Sequence, residues 1–192
     1  MEKENIFIIF SPGSGGNHLA NLIGLSSRFY RQVDYSKYQS NIENAHYSKI
    51  KNLNYGDIYF NLNDLLAQNN VLCGHIGEYL FSKALLRKLP NRKYLIINLP
   101  KFKTGNAYKR MSAFNPGFNN HEYFWEEQRI LYSQESLAAL FQEDDFFNID
   151  AELLFQSSKI IIDYIEQTLH TELDRQTATE IHDLWLSKNK PE

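Results

Sequence analysis

The 192-residue sequence predicts an α/β fold of three layers, with a mainly parallel central sheet between helices and a helical C-terminal part. Three observations carry this expectation. Apolar runs of strand length at Asn5–Phe10, Asn70–His75 and Lys93–Asn98 alternate with segments whose apolar residues recur at helical spacing, the order of elements that builds parallel sheets. The third run is apolar throughout its middle, as a strand covered on both faces must be. A glycine-rich turn, Ser11-Pro-Gly-Ser-Gly-Gly16, joins the first run directly to a helix carrying Leu19, Leu22 and Ile23.

The remaining elements follow in order. Residues 31–56 are polar and rich in Tyr, Asn and Ser without sustained periodicity, so they read as a long excursion on the substrate side of the fold. A short edge strand is expected at Asp57–Phe60 and a turn of helix near Leu62–Gln68. After Gly77 comes an amphipathic helix with Tyr79, Leu80, Ala84, Leu85 and Leu89 on one face, stopped by Pro90. Beyond Pro116-Gly117, Tyr123, Phe124, Gln128, Leu131 and Tyr132 mark one long helix to about Gln142. Phe146–Ile149 is a short strand running into Asp150, which is suited to cap a helix carrying Leu153, Leu154, Ile160, Ile161, Tyr164, Ile165 and Leu169. A last helix ends near Trp185-Leu186. No internal repeat or linker divides the chain, and its length suits one domain over residues 1–192.

Charge is segregated along the chain although the formal net is only −3. Residues 1–78 carry six bases and seven acids, residues 79–120 nine bases and no acid, and residues 121–192 five bases and sixteen acids. An acid-free stretch suits an arriving anion, and equally a solvated basic surface. Mean hydropathy is −0.47 and no apolar run approaches the ~18–20 residues of a membrane span. The N-terminus reads as no secretion signal, and a single cysteine, Cys73, excludes an internal disulfide framework or a cysteine-cluster zinc site. These features lead us to expect a cytoplasmic protein.

The loop between strand and helix presents backbone N–H groups at the positive end of a helix dipole, which is a general anion site. The equal simplicity of a tight β–α turn needing glycines keeps a structural alternative open. A Walker A loop places Lys-Ser/Thr where Asn17 and His18 stand, and no aspartate ends the runs at 71–75 or 94–98, so the pattern argues against ATP hydrolysis.

Strand, Ser-Pro-Gly-Ser-Gly-Gly-Asn-His-Leu, helix resembles the 5′-phosphosulfate loop of sulfotransferases that use 3′-phosphoadenosine 5′-phosphosulfate (PAPS), commonly Pro-Lys/Arg-Ser-Gly-Ser/Thr-Thr before an apolar helix. The second strand, ending Gly74-His75, is similar to the one that delivers the family's catalytic histidine. The third, Tyr94-Leu-Ile-Ile-Asn-Leu-Pro100, is similar to the strand ending Arg-x-Pro, whose arginine and a serine eight residues later hold the 3′-phosphate. Trp125-Glu-Glu-Gln128 and Phe147-Asn-Ile-Asp150 are also similar to the family's C-terminal half. The resemblance implies that Ser11, Gly13, Ser14, Gly15, Gly16, Asn17 and His18 hold the 5′ end of PAPS or of its product 3′-phosphoadenosine 5′-phosphate (PAP), without a metal. Asn98 and Asn106 then stand where the arginine and serine would be. The family's loop cation is replaced by Gly13 and its strand arginine by Asn98. Lys101, Lys103, Lys109 and Arg110, and His18 in the loop, are the positional substitutes.

The chemistry implied is transfer of a sulfuryl group to a hydroxyl or amine acceptor. A histidine titrating near neutrality is suited to remove the acceptor proton, and His75 is the candidate, with Gly74 and Gly77 leaving room beside it. Glu78 is a candidate to orient it or to replace it as base. Cys73 reads as core. His121 and Trp125 read as anchors of the long helix, and His46, His170 and His182 lack ligand-like spacing. A second reading stands beside the first: a degenerate P-loop scaffold with no chemistry, whose basic stretch docks an acidic protein partner or a polyanion. A nucleic-acid partner is not expected.

Overall fold

The computed structural model describes residues 3–10, 14–29, 66, 68–76, 84, 86–98, 133–141 and 145–189. Within them lie β1 (Asn5–Phe10), α1 (Gly16–Ile23), β2 (Asn70–His75), β3 (Arg92–Asn98), α2 (Gln134–Leu140), β4 (Asp145–Asp150), a 3-10 turn (Ala151–Phe155), α3 (Ser158–Leu169) and α4 (Arg175–Asn189). The four strands form one sheet in the order β2-β1-β3-β4, every pairing parallel. The expected strand at 57–60, the segment 31–56, and residues 79, 80, 85 and 123–132 lie outside the described residues.

β1 sits inside the sheet and every one of its residues is buried, which its unbroken Ile-Phe-Ile-Ile-Phe run permits. Alternation then sorts side chains to two faces. Ile6, Ile8 and Phe10 join Val71, Cys73, Leu95, Ile97 and Ile149 in one cluster, covered by α1, α3, α4 and the 3-10 turn. Phe7 and Ile9 join Leu72, Tyr94 and Ile96 in a second, covered by Leu86, Leu89, Leu137 and Phe141. Burying each such side chain is worth roughly 1.5–3 kcal/mol, so a sheet covered on both faces concentrates the stability around β1.

Polar groups hold the opposite, N-terminal edge of the sheet. The Asn5 amide donates to the Pro90 carbonyl at 2.7 Å, and the Asn70 amide donates to Asn5 Oδ1 at 2.7 Å. Glu4 accepts a hydrogen bond from Arg28 and pairs with Lys93 Nζ at 2.7 Å. Arg28 also donates to the carbonyls of Leu169 and His170, which ties this edge to the end of α3.

Several elements differ from the sequence expectation. Ala84 is exposed, and Leu86 takes its place beside Leu89 in the core. The helix expected to run to about Gln142 does not pass through Ser133, whose backbone is extended. Its hydroxyl accepts from the Ser136 amide at 3.0 Å, starting α2. Asp150 does cap, accepting from the Glu152 amide at 2.8 Å, but what it caps is the 3-10 turn. Gln156 and Ser157 are extended, so the expected single helix is two pieces, and α3 starts at Ser158 with its own rotation. That rotation buries Ile161, Ile162 and Ile165 and leaves Ile160 46% exposed. α3 and α4 are clamped by Arg175, which bonds Asp163 at 2.8 Å and also Glu166. Lys159 and then Arg175 hold the Asp163 carboxyl below the usual carboxylate range.

The rotation of α3 is testable by a matched pair of substitutions. Ile161→Ala is expected to cost about 2–5 kcal/mol in urea unfolding, and Ile160→Ala less than about 0.5 kcal/mol. Equal costs would contradict the split after the 3-10 turn.

Candidate anion site at the carboxyl edge of the sheet

Because the strands are parallel, Phe10, His75 and Asn98 end β1, β2 and β3 at one edge, where α1 also begins. Ligands of open α/β sheets bind at this edge. Ser11 and Gly13 of the loop, Asn106, Glu78, and the cations Lys101, Lys103, Lys109 and Arg110 lie outside the described residues.

The glycines of the turn are needed for two different reasons. Gly15, the residue before α1, has φ +88°, a left-handed conformation that strains any residue with a Cβ. A Cβ there would also meet Leu154 Cδ1 at 2.9 Å and the Trp185 ring at 3.2 Å. Gly16 is excluded from bearing a side chain by contact, since its Cβ would fall 2.1 Å from the Phe10 ring. Ser14 is fully buried. The helix closes with the Leu19 amide on the Gly15 carbonyl at 3.0 Å, which places the amides of Gly16, Asn17 and His18 in its first turn, at the positive end of its dipole. The turn thus aims backbone donors and the positive helix end at the carboxyl edge.

Asn17 leans along the sheet, its Oδ1 accepting from the Cys73 thiol at 3.1 Å. Cys73 is buried, as expected of a core cysteine.

His75 lies opposite Phe10 in the β1–β2 register and tilts against its ring at 4.8 Å. Its Nδ1 is 3.2 Å from the Phe10 carbonyl oxygen. A carbonyl only accepts, so Nδ1 carries the hydrogen and, in the neutral ring, the basic lone pair is on Nε2. The residue is half-buried.

Asn98 gives one amide hydrogen to Asn148 Oδ1 at 3.1 Å, and its own Oδ1 is buried with no hydrogen-bond partner. This end of the edge therefore presents a neutral acceptor where the resemblance leads one to expect a cation. An acceptor oxygen cannot bond a phosphate oxygen, so only the amide side of Asn98 is chemically suited to an anion.

His18 departs most from expectation. Its imidazole is 3% exposed, lies parallel to the Trp185 indole at a centroid distance of 4.4 Å and an interplanar angle of 2°, and meets His182 Nδ1 through Nε2 at 2.9 Å. Burial, and then the neighbouring His182, push its basicity well below the ordinary 6.5. The ring is uncharged at neutral pH and is not a substitute for the missing loop cation; only its backbone amide belongs to the turn. Sequence spacing could not reveal this, because 164 residues separate the two histidines. His182, expected to be without a role, is completely buried. His170 ends α3 in a left-handed conformation, φ +48°. Among the described residues no group of three or more His, Cys, Asp or Glu side chains is placed to hold a metal, and no helix is long and apolar enough to cross a membrane.

No protein-family model and no curated protein matches the chain. Solved structures do. A sulfotransferase from Alicyclobacillus acidocaldarius superposes with a TM-score of 0.50 at 15% identity, over 98% of this chain and 93% of that one. A sugar kinase from Janibacter sp. HTCC2649 gives 0.43 at 13% identity, over 92% of this chain and 99% of that one. An uncharacterized protein from Eubacterium ventriosum gives 0.38 at 12%, over 97% of this chain and 99% of that one. The first of these likenesses bears on the fold, and agrees with a parallel α/β sheet covered by helices.

Gly16→Ala is expected to cost about 3 kcal/mol or more in urea unfolding, since the Phe10 ring has no room to move in the core. Gly16→Ala with Phe10→Leu should recover part of that loss. A neutral Gly16→Ala would show that the turn is not held as described.

Proposed function

We propose that the chain is a PAPS-dependent sulfotransferase-like enzyme that moves a sulfuryl group to a hydroxyl or amine acceptor, with His75 as general base. The observation that carries this reading is the meeting, at one sheet edge, of the α1 amino end with a histidine whose Nδ1 is tied to the Phe10 carbonyl. That tie orients the ring and leaves Nε2 as the proton acceptor. Gly15 and Gly16 are required by packing against Leu154, Trp185 and Phe10 and so do not by themselves favour a ligand, and the Asn98 end suits a 3′-phosphate poorly. PAPS would supply an activated sulfuryl group on a phosphate leaving group.

The protein's part is alignment and charge stabilisation. The first-turn amides of Gly16, Asn17 and His18 would hold the phosphate end of the donor at the positive end of α1. His75 Nε2 would accept the proton of the acceptor O–H or N–H as the sulfuryl group is transferred, and would pass it on to water.

A specific observation favours a second reading, a scaffold without chemistry that docks an acidic partner or polyanion. Neither Asn98 nor the buried His18 ring supplies the cation the donor requires.

PAP, PAPS and ATP titrated side by side should show PAP binding at micromolar levels. At a hundredfold excess over Kd it should add about 2.7 kcal/mol of stability and raise Tm. No shift at saturating PAP in a folded sample would overturn the enzyme reading. His75→Ala is expected to lower transfer by about 10²–10⁴-fold with PAP affinity unchanged; loss of both together would make His75 structural. Charge reversal at Lys101, Lys103 and Lys109 should abolish PAP binding if these lysines serve the donor, whereas loss of pull-down of an acidic partner alone would support the scaffold.

A further inference from the structure

The buried contact between α1 and α4 is built from groups that a core usually avoids. His182 Nε2 lies 3.0 Å from the Gln156 carbonyl oxygen and so must carry a hydrogen. In the neutral ring Nδ1 is then a lone pair, and the 2.9 Å contact requires that His18 Nε2–H donate to it. His18 in turn stacks flat on Trp185. The Trp185 ring edge and Leu154 close the space beneath Gly15, the left-handed residue that opens α1. One unbroken series of contacts therefore runs from the backbone after the 3-10 turn, through His182, His18 and Trp185, to the glycine turn.

We propose that His182 and Trp185 are positioning residues for the glycine turn, acting through His18, and that mild acid releases this contact. A proton added to His182 Nδ1 turns that nitrogen into a donor, so the 2.9 Å contact then survives only if His18 moves its own hydrogen from Nε2 to Nδ1. In either arrangement the pair carries a positive charge in an apolar pocket against the Trp185 indole, which the buried packing disfavours. Among the described residues, the groups that act on the pair are the two imidazoles themselves, Asp183 beside His182 on α4, and the uncharged Gln156 carbonyl, the last two of which favour the charged form of His182 against its burial. Burial lowers the basicity of both rings below 6.5, most strongly for His18. The unfolded chain then takes up more protons than the folded one, so stability is complete above about pH 6.5 and is lost progressively as pH falls below it.

The effect on ligand binding rests on the reading of the turn as an anion site; the release itself does not. The chain has two tryptophans, so a Trp125→Phe background leaves Trp185 as the reporter. From about pH 8 to pH 5, its emission should change as His182, the less depressed of the two rings, gains a proton and the His18 stack on the indole loosens, and Tm should fall in the same window. His182→Gln keeps a donor for Gln156 and an acceptor for His18 but cannot titrate, and should shrink both transitions. Nitrogen-15 spectra of the histidine rings in the unsubstituted protein supply a measurement independent of any variant's folding. They should show both rings neutral near pH 7.5, with the hydrogen on Nε2. PAP affinity should drop about tenfold or more between pH 7.5 and 5.5 in the Trp125→Phe protein, and less than about threefold with His182→Gln added. Flat emission and Tm, or the hydrogen on Nδ1 of His182, would overturn the proposal even where PAP binds. Transitions in emission and Tm with no PAP binding at any pH would support the release and overturn the anion reading instead.

Discussion

The approach of the Phe10 ring to the Cα of Gly16 is the constraint on which the rest of this molecule depends. It lets the chain turn from a fully buried strand into a helix within the few residues after Phe10. Were a side chain present at that point, α1 would be pushed off the sheet, and the face formed by Ile6, Ile8, Val71 and Cys73 would lose its cover. The same close approach leaves backbone donors, and no side chain, at the mouth of the turn. Packing against the strand by itself therefore asks for glycine at this place.

Electrostatically the edge is half-finished among the described residues. It has a helix amino end and a histidine, but its two side chains nearest the expected phosphate positions are amides, Asn17 and Asn98, already bonded to Cys73 and Asn148. The described charge network instead serves stability at the far edge, where Glu4 meets Arg28 and Lys93. A site that relies on amides and a dipole holds an anion more weakly than one with a cation in contact, because charge-assisted hydrogen bonds are roughly twice as strong as neutral ones.

Much of the fold was legible because its signals are local. The runs at 5–10, 70–75 and 93–98 are short, apolar and punctuated by glycine or proline, and each is a parallel strand. The strand at 146–149 and the Asp150 cap were readable for the same reason. Breaks inside helical patterns were not. The extended residues at Ser133 and at Gln156-Ser157 carry no proline or glycine, and apolar spacing runs across both, so periodicity joins what the backbone separates. At the site, the edge position of His75 followed from where a strand ends. The burial of His18 did not, because a histidine beside a glycine loop looks the same whether it meets a ligand or a tryptophan 167 residues later in the sequence. Its partner lies on α4, and nothing short of the tertiary fold brings the two together.

That pairing has a consequence for how the chain acquires its structure. α1 is synthesised well before α4, yet the His18 ring that it bears meets its partner His182 only 164 positions later in the chain. Contacts of such separation pay a large loop-closure cost and slow folding. Until α4 arrives, the helix behind the glycine turn carries an imidazole with no indole to cover it. The turn can therefore reach its final shape only after α4 has docked, so the contact between Gly15 and Trp185 is among the later ones to form.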